Sequence, residues 1–153
     1  MTTELLRRKE AWNITYDHAL GETASWFYVQ LRDHGKLYGR RCPTSGRVLV
    51  PPRAFSDQSM LPTTEWVEVG PGGTISGFTM VYEPFVNLPD PPYAFGYVQL
   101  DGADTSIGGF FRNVDLSDPA AAAQKLRIGT RVITRFADKR QGDVSDFWFE
   151  PVA

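Results

Sequence analysis

With 153 residues, the chain has the size of one ordinary domain, large enough to bury a hydrophobic core without disulfides or a metal ion. A hydrophobic content of 42%, a net charge of −2 and a single cysteine exclude an intrinsically disordered chain, a strongly charged chain and a disulfide framework. No apolar run is long enough for a signal-peptide core or a membrane span, which predicts a cytoplasmic protein.

Residues 1–35 form the first predicted unit, a helical hairpin. Its first helix would carry Leu5, Leu6 and Trp12 near one face, and its second is predicted over residues 22–33, ended by a glycine. The heavy aromatic content of the unit suits either docking onto the rest of the domain or contact with a partner subunit, and both interpretations stay open. The candidate partner-contact residues are Trp12, Trp26 and Phe27.

Residues 36–63 form the second predicted unit, a short hairpin with the ligand spacing of a zinc ribbon. The four ligand positions are Cys42, Ser45, Ser56 and Ser59. Two such turns provide four thiolates in a structural zinc site, but a serine hydroxyl is not a soft anionic ligand, and one thiol cannot hold zinc alone. The pattern predicts turns that keep the shape of a zinc knuckle without the metal, with serines hydrogen-bonded to the turn backbones.

Residues 64–153 form the third predicted unit, which is mainly β. A glycine-rich bend between strands at 65–69 and 74–82 predicts one bent strand that serves two sides of a small barrel. The proline-rich stretch 83–92 cannot be a central strand and is predicted as a loop. The remaining predicted elements are a hairpin of strands 94–101 and 105–111, a helix from Asp118-Pro119 to residue 126, and strands at 131–137 and 146–152. Five strands with one helix between the third and fourth have the order of an OB-fold barrel.

Few residues suggest catalysis. His18 and His34 are the only histidines, and neither has an orienting partner in the pattern. Cys42 follows Arg40 and Arg41, which favours a thiolate, but its place in the knuckle explains it better than a nucleophile does. Since no nucleophile, base and orienting group come together, we predict no catalytic site.

Aromatic residues are concentrated on the predicted barrel strands, where OB folds can stack the bases of single-stranded nucleic acid along a basic groove. These residues are Phe78, Tyr82, Tyr93, Phe95, Tyr97, Phe110 and Phe111. However, residues 54–111 contain no Lys or Arg, so phosphates would be poorly neutralised. A nucleic-acid binder is therefore the alternative function, and most of these rings are predicted to be core or subunit interface.

Several segments, taken in their order along the chain, resemble a known family. They are Phe27 to Cys42, Pro51-Pro52-Arg53, Gly70 to Thr79, Pro91 to Asp101, Ile128 to Val132 and Phe147 to Val152. Together they are similar to the OB-fold, acyl-CoA-associated family with a rubredoxin-like zinc ribbon, over roughly residues 22–152. The resemblance implies a non-catalytic accessory subunit that binds a thiolase-like or hydratase-like enzyme and contributes to an acyl-CoA site.

Charge and placement suggest which residues would contact acyl-CoA in such a complex. Coenzyme A phosphates favour guanidinium donors, of which Arg40, Arg53 and Arg112 are candidates, and Tyr82 and Tyr93 flank the proline-rich loop. The zinc of the family is predicted to be absent, because three of its four ligand positions are serine. A homodimer through the N-terminal helices stays open, and the sequence does not specify the acyl group.

Overall fold

The computed structural model describes residues 5–152, which form a mainly β structure. The helices are α1 (Gly21–His34) and α2 (Pro119–Lys125). The strands are β1 (Leu37–Arg41), β2 (Val48–Leu49), β3 (Glu65–Val69), β4 (Gly72–Val81), β5 (Tyr93–Leu100), β6 (Ser106–Phe111), β7 (Arg131–Phe136) and β8 (Phe147–Pro151). Residues 1–4 and 153, which the predicted terminal units include, lie outside the described residues.

Five strands close into a barrel in the order β4-β5-β6-β8-β7, which confirms the predicted OB fold. The barrel closes where residues 72–74 of β4 pair with residues 131–133 of β7. The helix α2 lies between the third and fourth barrel strands. Its start is the predicted one, because the Asp118 carboxylate accepts hydrogen bonds from the N–H groups of Ala120 and Ala121 at 2.9 and 3.1 Å, and Pro119 occupies the first turn.

The core lies inside the barrel, and the alternation of side chains along the strands fills it. On β5, for example, Ala94, Val98 and Leu100 are buried, while Tyr93, Phe95 and Tyr97 point to the outside. The largest buried side chains of the barrel include Phe147 and Phe149 of β8, which meet edge to face at 5.7 Å between ring centroids.

A second sheet, of order β2-β1-β3, precedes the barrel. We expected residues 65–69 to form half of the first barrel strand, and this expectation is wrong, because β3 pairs along its whole length with β1. Gly70 follows β3 with φ of 78°, a left-handed conformation that glycine adopts without strain, and the chain then enters the barrel at β4. The predicted hairpin of β1 and β2 is present, as the first two strands of this three-stranded sheet.

The predicted helical hairpin is half right. The helix α1 is confirmed, ends at Gly35 in the left-handed conformation, and packs Phe27 and Leu31, one turn apart, into the core. Residues 5–20 have no regular secondary structure, so the predicted first helix is wrong. The apolar side chains of this segment are exposed, with Leu5 at 83% and Trp12 at 80%. A helix of this length is marginal unless its apolar face packs against something, and no described residue buries that face.

A buried carboxylate organises the loop between β7 and β8. The Asp146 side chain accepts hydrogen bonds from the N–H groups of Gln141, Gly142 and Asp143 at 2.7 to 2.9 Å. Burial raises the pKa of Asp146, but these three N–H donors and nearby Arg140 outweigh it, so the pKa lies below its usual value. The loop also reaches α1, since Arg140 Nε donates to the Arg32 carbonyl at 3.0 Å.

Candidate functional surfaces

The two turns that hold the four zinc-ribbon positions have matching backbone geometry. In the first turn the Gly46 N–H donates to the Cys42 carbonyl at 2.9 Å, and in the second the Met60 N–H donates to the Ser56 carbonyl at 3.1 Å. The residue that closes each turn has positive φ, 74° at Gly46 and 56° at Met60. The chain therefore presents two equivalent turns at the predicted positions.

The serine side chains bind the turn backbones, as predicted from the sequence. Ser56 Oγ accepts from the N–H groups of Gln58 and Ser59, and the Oγ atoms of Ser45 and Ser59 each accept from the N–H two residues further on, all at 3.4 Å. Cys42 is completely buried, with its Sγ atom 3.5 Å from Ser59 Oγ. Hydrogen bonds from Ser45, Ser56 and Ser59 lower the pKa of the Cys42 thiol to about 6, although burial opposes them. Three hydroxyls thus surround one thiol.

These residues do not fit a zinc ion. One thiol and three hydroxyls lack the anionic soft ligands of a structural zinc site. Within residues 5–152, no three His, Cys, Asp or Glu side chains come close enough together to hold a metal. One ion pair connects the two turns instead, because Asp57 Oδ1 lies 3.3 Å from Arg47 Nη1. Asp57 also lies 3.4 Å from Arg53, which precedes the second turn.

An aromatic cluster joins α1 to the three-stranded sheet. Trp26 of α1 stacks on Trp66 of β3 with ring centroids 3.9 Å apart, and its edge meets Tyr38 of β1 at 5.1 Å. Arg40 lies opposite Trp66 in the strand register, with its guanidinium 4.9 Å from the indole centroid. We call these four residues the tryptophan cluster; all four side chains are partly exposed.

The surroundings of two candidates, Arg40 and Phe27, change their interpretation. Arg40, predicted as an acyl-CoA contact, donates from Nη2 to the carbonyls of Thr63 and Thr64, so its guanidinium is already engaged within the chain. Phe27, predicted as a partner contact, is 3% exposed and belongs to the core, which removes it from the candidate interface. Trp26 and Trp12 remain accessible. Sequence patterns did not single out Tyr38 or Trp66, because only the pairing of β1 with β3 brings them beside Trp26.

The four other acyl-CoA candidates lie in two different places. Tyr93 and Arg112 line one pocket of about 380 Å³ below the proline-rich loop, together with Pro89, Pro92, Phe110, Phe111, Asn113, Val114 and Leu116. The Tyr82 hydroxyl donates to the carbonyl of Leu116, a residue of this pocket, at 3.0 Å. Arg112 is exposed and its guanidinium lies 4.2 Å from the ring centroid of Trp148. Arg53 lies apart from them, just before the second turn, and is paired with Asp57.

Neither α1 nor α2 has the length and apolar character needed to cross a membrane, and they are the only α-helices in the described part of the chain.

Comparison with known proteins identifies the barrel. Residues 66–137 match the family model described as the ChsH2 C-terminal OB-fold domain. The solved structure named Ltp2-ChsH2(DUF35) aldolase is similar with a TM-score of 0.65 and 15% identity, over 88% of this chain and 98% of that one. A protein of unknown function of the DUF35 family from Sulfolobus solfataricus is similar with a TM-score of 0.62 and 14% identity, over 86% of this chain and 87% of that one. A search of curated proteins gives no match. Residues 66–137 are therefore similar to the ChsH2 C-terminal OB-fold domain, which agrees with the resemblance of the sequence to the OB-fold, acyl-CoA-associated family.

Proposed function

We propose that this chain is a non-catalytic accessory subunit that binds a thiolase-like or hydratase-like enzyme and contributes to an acyl-CoA site. The family match and the similar structure whose name joins ChsH2 to Ltp2 and to an aldolase support a partner enzyme. The described residues also offer no catalytic group of their own. His18 and His34 are exposed and in no hydrogen-bonded group with a nucleophile, and Cys42 is buried among hydroxyls.

The observation that carries the proposal is the tryptophan cluster. Interface hot spots are enriched in Trp, Tyr and Arg, which bury large rigid surfaces and donate hydrogen bonds at their edges. Here two indoles, one phenol and one guanidinium meet at a partly exposed junction between α1 and the sheet. Since their mutual contacts fix the rings in place, a partner would lose little side-chain entropy by binding them.

The pocket below the proline-rich loop is the proposed contribution to acyl-CoA binding. It joins an exposed guanidinium, Arg112, to apolar walls such as Tyr93 and Leu116. A guanidinium can pair with a phosphate of coenzyme A through two hydrogen bonds, and apolar walls suit the thioester arm. Because Arg40 and Arg53 are engaged elsewhere, Arg112 is the arginine of the predicted set that best fits this role.

The partner role is tested by affinity purification of the tagged chain from its native host. We expect a stoichiometric thiolase-like or hydratase-like chain to accompany the wild-type protein, identified by mass spectrometry. Trp66→Ala should lower its recovery at least about tenfold, the scale of a moderate hot spot. The matched control is Ile128→Ala, which truncates a 69% exposed side chain in the turn before β7 and should leave recovery unchanged. Purification of the chain alone would contradict the accessory role, and equal recovery with Trp66→Ala would remove the cluster from the interface.

The acyl-CoA role is tested on the purified complex by calorimetry. We expect Arg112→Ala to weaken acyl-CoA binding about tenfold or more, because a hydrogen bond to a charged group contributes about 1.5–3 kcal/mol. Binding of the same acyl group on pantetheine, which lacks the nucleotide phosphates, should not change. Arg135→Ala removes an arginine paired with Glu150 on β7 and serves as the control. If Arg112→Ala weakens both ligands equally, Arg112 does not bind phosphate.

A further inference from the structure

The outer surface of the barrel carries a sheet face without charges. Residues 77–81 of β4, 93–99 of β5 and 106–110 of β6 include no Asp, Glu, Lys or Arg. We call the outward-facing residues of these three ranges the outer aromatic face. The solvent-facing positions of an antiparallel sheet ordinarily carry polar or charged residues. The neighbouring strands β7 and β8 follow this pattern with Arg131, Arg135 and Glu150.

Four rings run across this face in mutual contact. Phe110 meets Tyr93 at 5.8 Å and Phe95 at 5.5 Å between ring centroids, and Phe95 meets Tyr97 at 6.2 Å, all edge to face. Tyr97 is the most exposed of the four rings, with 56% of its surface accessible. A contiguous patch of this kind on a folded domain marks an interaction surface.

The absence of charge restricts what can cover the face. A partner that buried a charged residue here would leave that charge without a counterion, which costs several kcal/mol. Single-stranded nucleic acid would stack bases on the rings, but its phosphates would find no Lys or Arg on the face. The outer aromatic face of a second copy carries no charge either. A twofold axis places the same face of the two copies against each other.

The shape of the outer aromatic face is also complementary to itself. Tyr97 pairs across the strands with Gly77, and an added Cβ at Gly77 would meet no atom within 4 Å. The exposed ring of Tyr97 therefore stands beside open space at Gly77 on the same face. In a twofold pair of sheets stacked about 10 Å apart, each Tyr97 ring can occupy the open space at Gly77 of the other copy.

We propose that the outer aromatic face pairs two copies of this chain about a twofold axis. The inference goes beyond the proposed accessory role, although the face shares Tyr93 and Phe110 with the pocket proposed for acyl-CoA. It places the dimer contact on the barrel, whereas the sequence left open a homodimer through the N-terminal helices. Three strands of five to seven residues cover roughly 14 by 17 to 24 Å, so each copy contributes on the order of 300 Å². This is below the typical size of a stable interface, so a weak and reversible dimer is expected.

Sedimentation velocity on the full chain, from about 1 to about 300 μM, tests the dimer. The weight-average sedimentation coefficient of the wild type should rise from monomer to dimer across this range. Tyr97→Glu and Thr79→Glu each place a carboxylate on the outer aromatic face and should weaken association at least tenfold. Both positions are exposed, so the fold should tolerate the changes, and circular dichroism verifies this. Ile128→Glu adds the same charge elsewhere and should associate like the wild type.

Three outcomes would overturn the inference. The first is a wild type that stays monomeric at every concentration. The second is dimerisation of Tyr97→Glu and Thr79→Glu as strong as that of the wild type, which would place the contact on another surface. Finally, salt-sensitive binding of single-stranded oligonucleotides that Tyr97→Glu abolishes would make the face a base-stacking surface instead.

Discussion

Replacing Ser45, Ser56 and Ser59 together by cysteine is expected to give a protein that binds one zinc ion per chain. The two turns already have the matching backbone hydrogen bonds and positive-φ closing residues described above. The Sγ atom of Cys42 lies 3.5 Å from Ser59 Oγ, and hydrogen bonds from Ser45, Ser56 and Ser59 lower the pKa of this thiol. Because shape is retained and only ligand chemistry is missing, four thiolates should complete a tetrahedral site.

Zinc should also change the stability of the triple variant substantially. A ligand that binds only the folded state at a thousand times its Kd adds about 4 kcal/mol to the free energy of unfolding. Elemental analysis after gel filtration measures the stoichiometry, and the absorption spectrum with Co²⁺ reports tetrahedral thiolate ligation. Chelation should lower the melting temperature of the triple variant and leave that of the wild type unchanged.

The wild type is the first control, since we predict that it binds no zinc. The second control adds Cys42→Ser to the triple variant, which leaves three thiolates and should bind zinc more weakly. Stoichiometric zinc in the wild type would refute the view that hydroxyls cannot replace the thiolates. A triple variant without zinc would show that the turns have relaxed away from ligand geometry.

The zinc-ribbon positions illustrate what sequence alone can predict. The spacing of Cys42, Ser45, Ser56 and Ser59 predicts two turns, and the serine hydrogen bonds follow from the local chemistry of a turn. The barrel strands are equally local in origin, because alternation marks each strand and an Asp-Pro pair marks the start of α2. Their closure into a barrel was predicted partly from the family resemblance. Such features depend on residues close together in the chain.

Features that depend on distant pairing were missed. Alternation in residues 65–69 predicts a strand but not its neighbour, so β3 was assigned to the barrel when it pairs with β1. The same pairing brings Trp66 beside Trp26 and Arg40, so the tryptophan cluster cannot be predicted from the sequence without it. Helical periodicity in residues 5–20 likewise predicts a helix only where a packing surface exists. Of the acyl-CoA candidates, Tyr93 and Arg112 line one pocket, and their contact with acyl-CoA stays a prediction.

A second large effect is expected at Gly96, on β5, where an added methyl group has no room. In the closed barrel its Cβ would collide with the Gly77 carbonyl oxygen and lie 2.8 Å from the Cα of Phe78 and 2.7 Å from a ring atom of Phe111. Two of these neighbours are backbone atoms of β4, which cannot rotate away as a side chain can. We therefore expect Gly96→Ala to lower the free energy of unfolding by about 3 kcal/mol or more, at the upper end for overpacked cores. Urea unfolding followed by circular dichroism measures the change.

Gly77→Ala provides the matched control, because it makes the same chemical change on the strand that faces Gly96. No atom lies within 4 Å of a Cβ at Gly77, so the methyl group meets only solvent in the monomer. Restricting the unfolded chain should then offset any small cost, and the free energy of unfolding should change by about 0.5 kcal/mol or less. The comparison is made at low micromolar concentration, where the proposed dimer is dissociated. Equal effects of the two substitutions would contradict the close approach of β4 to β5 at Gly96, and with it the strand register that points Tyr97 outward beside Gly77.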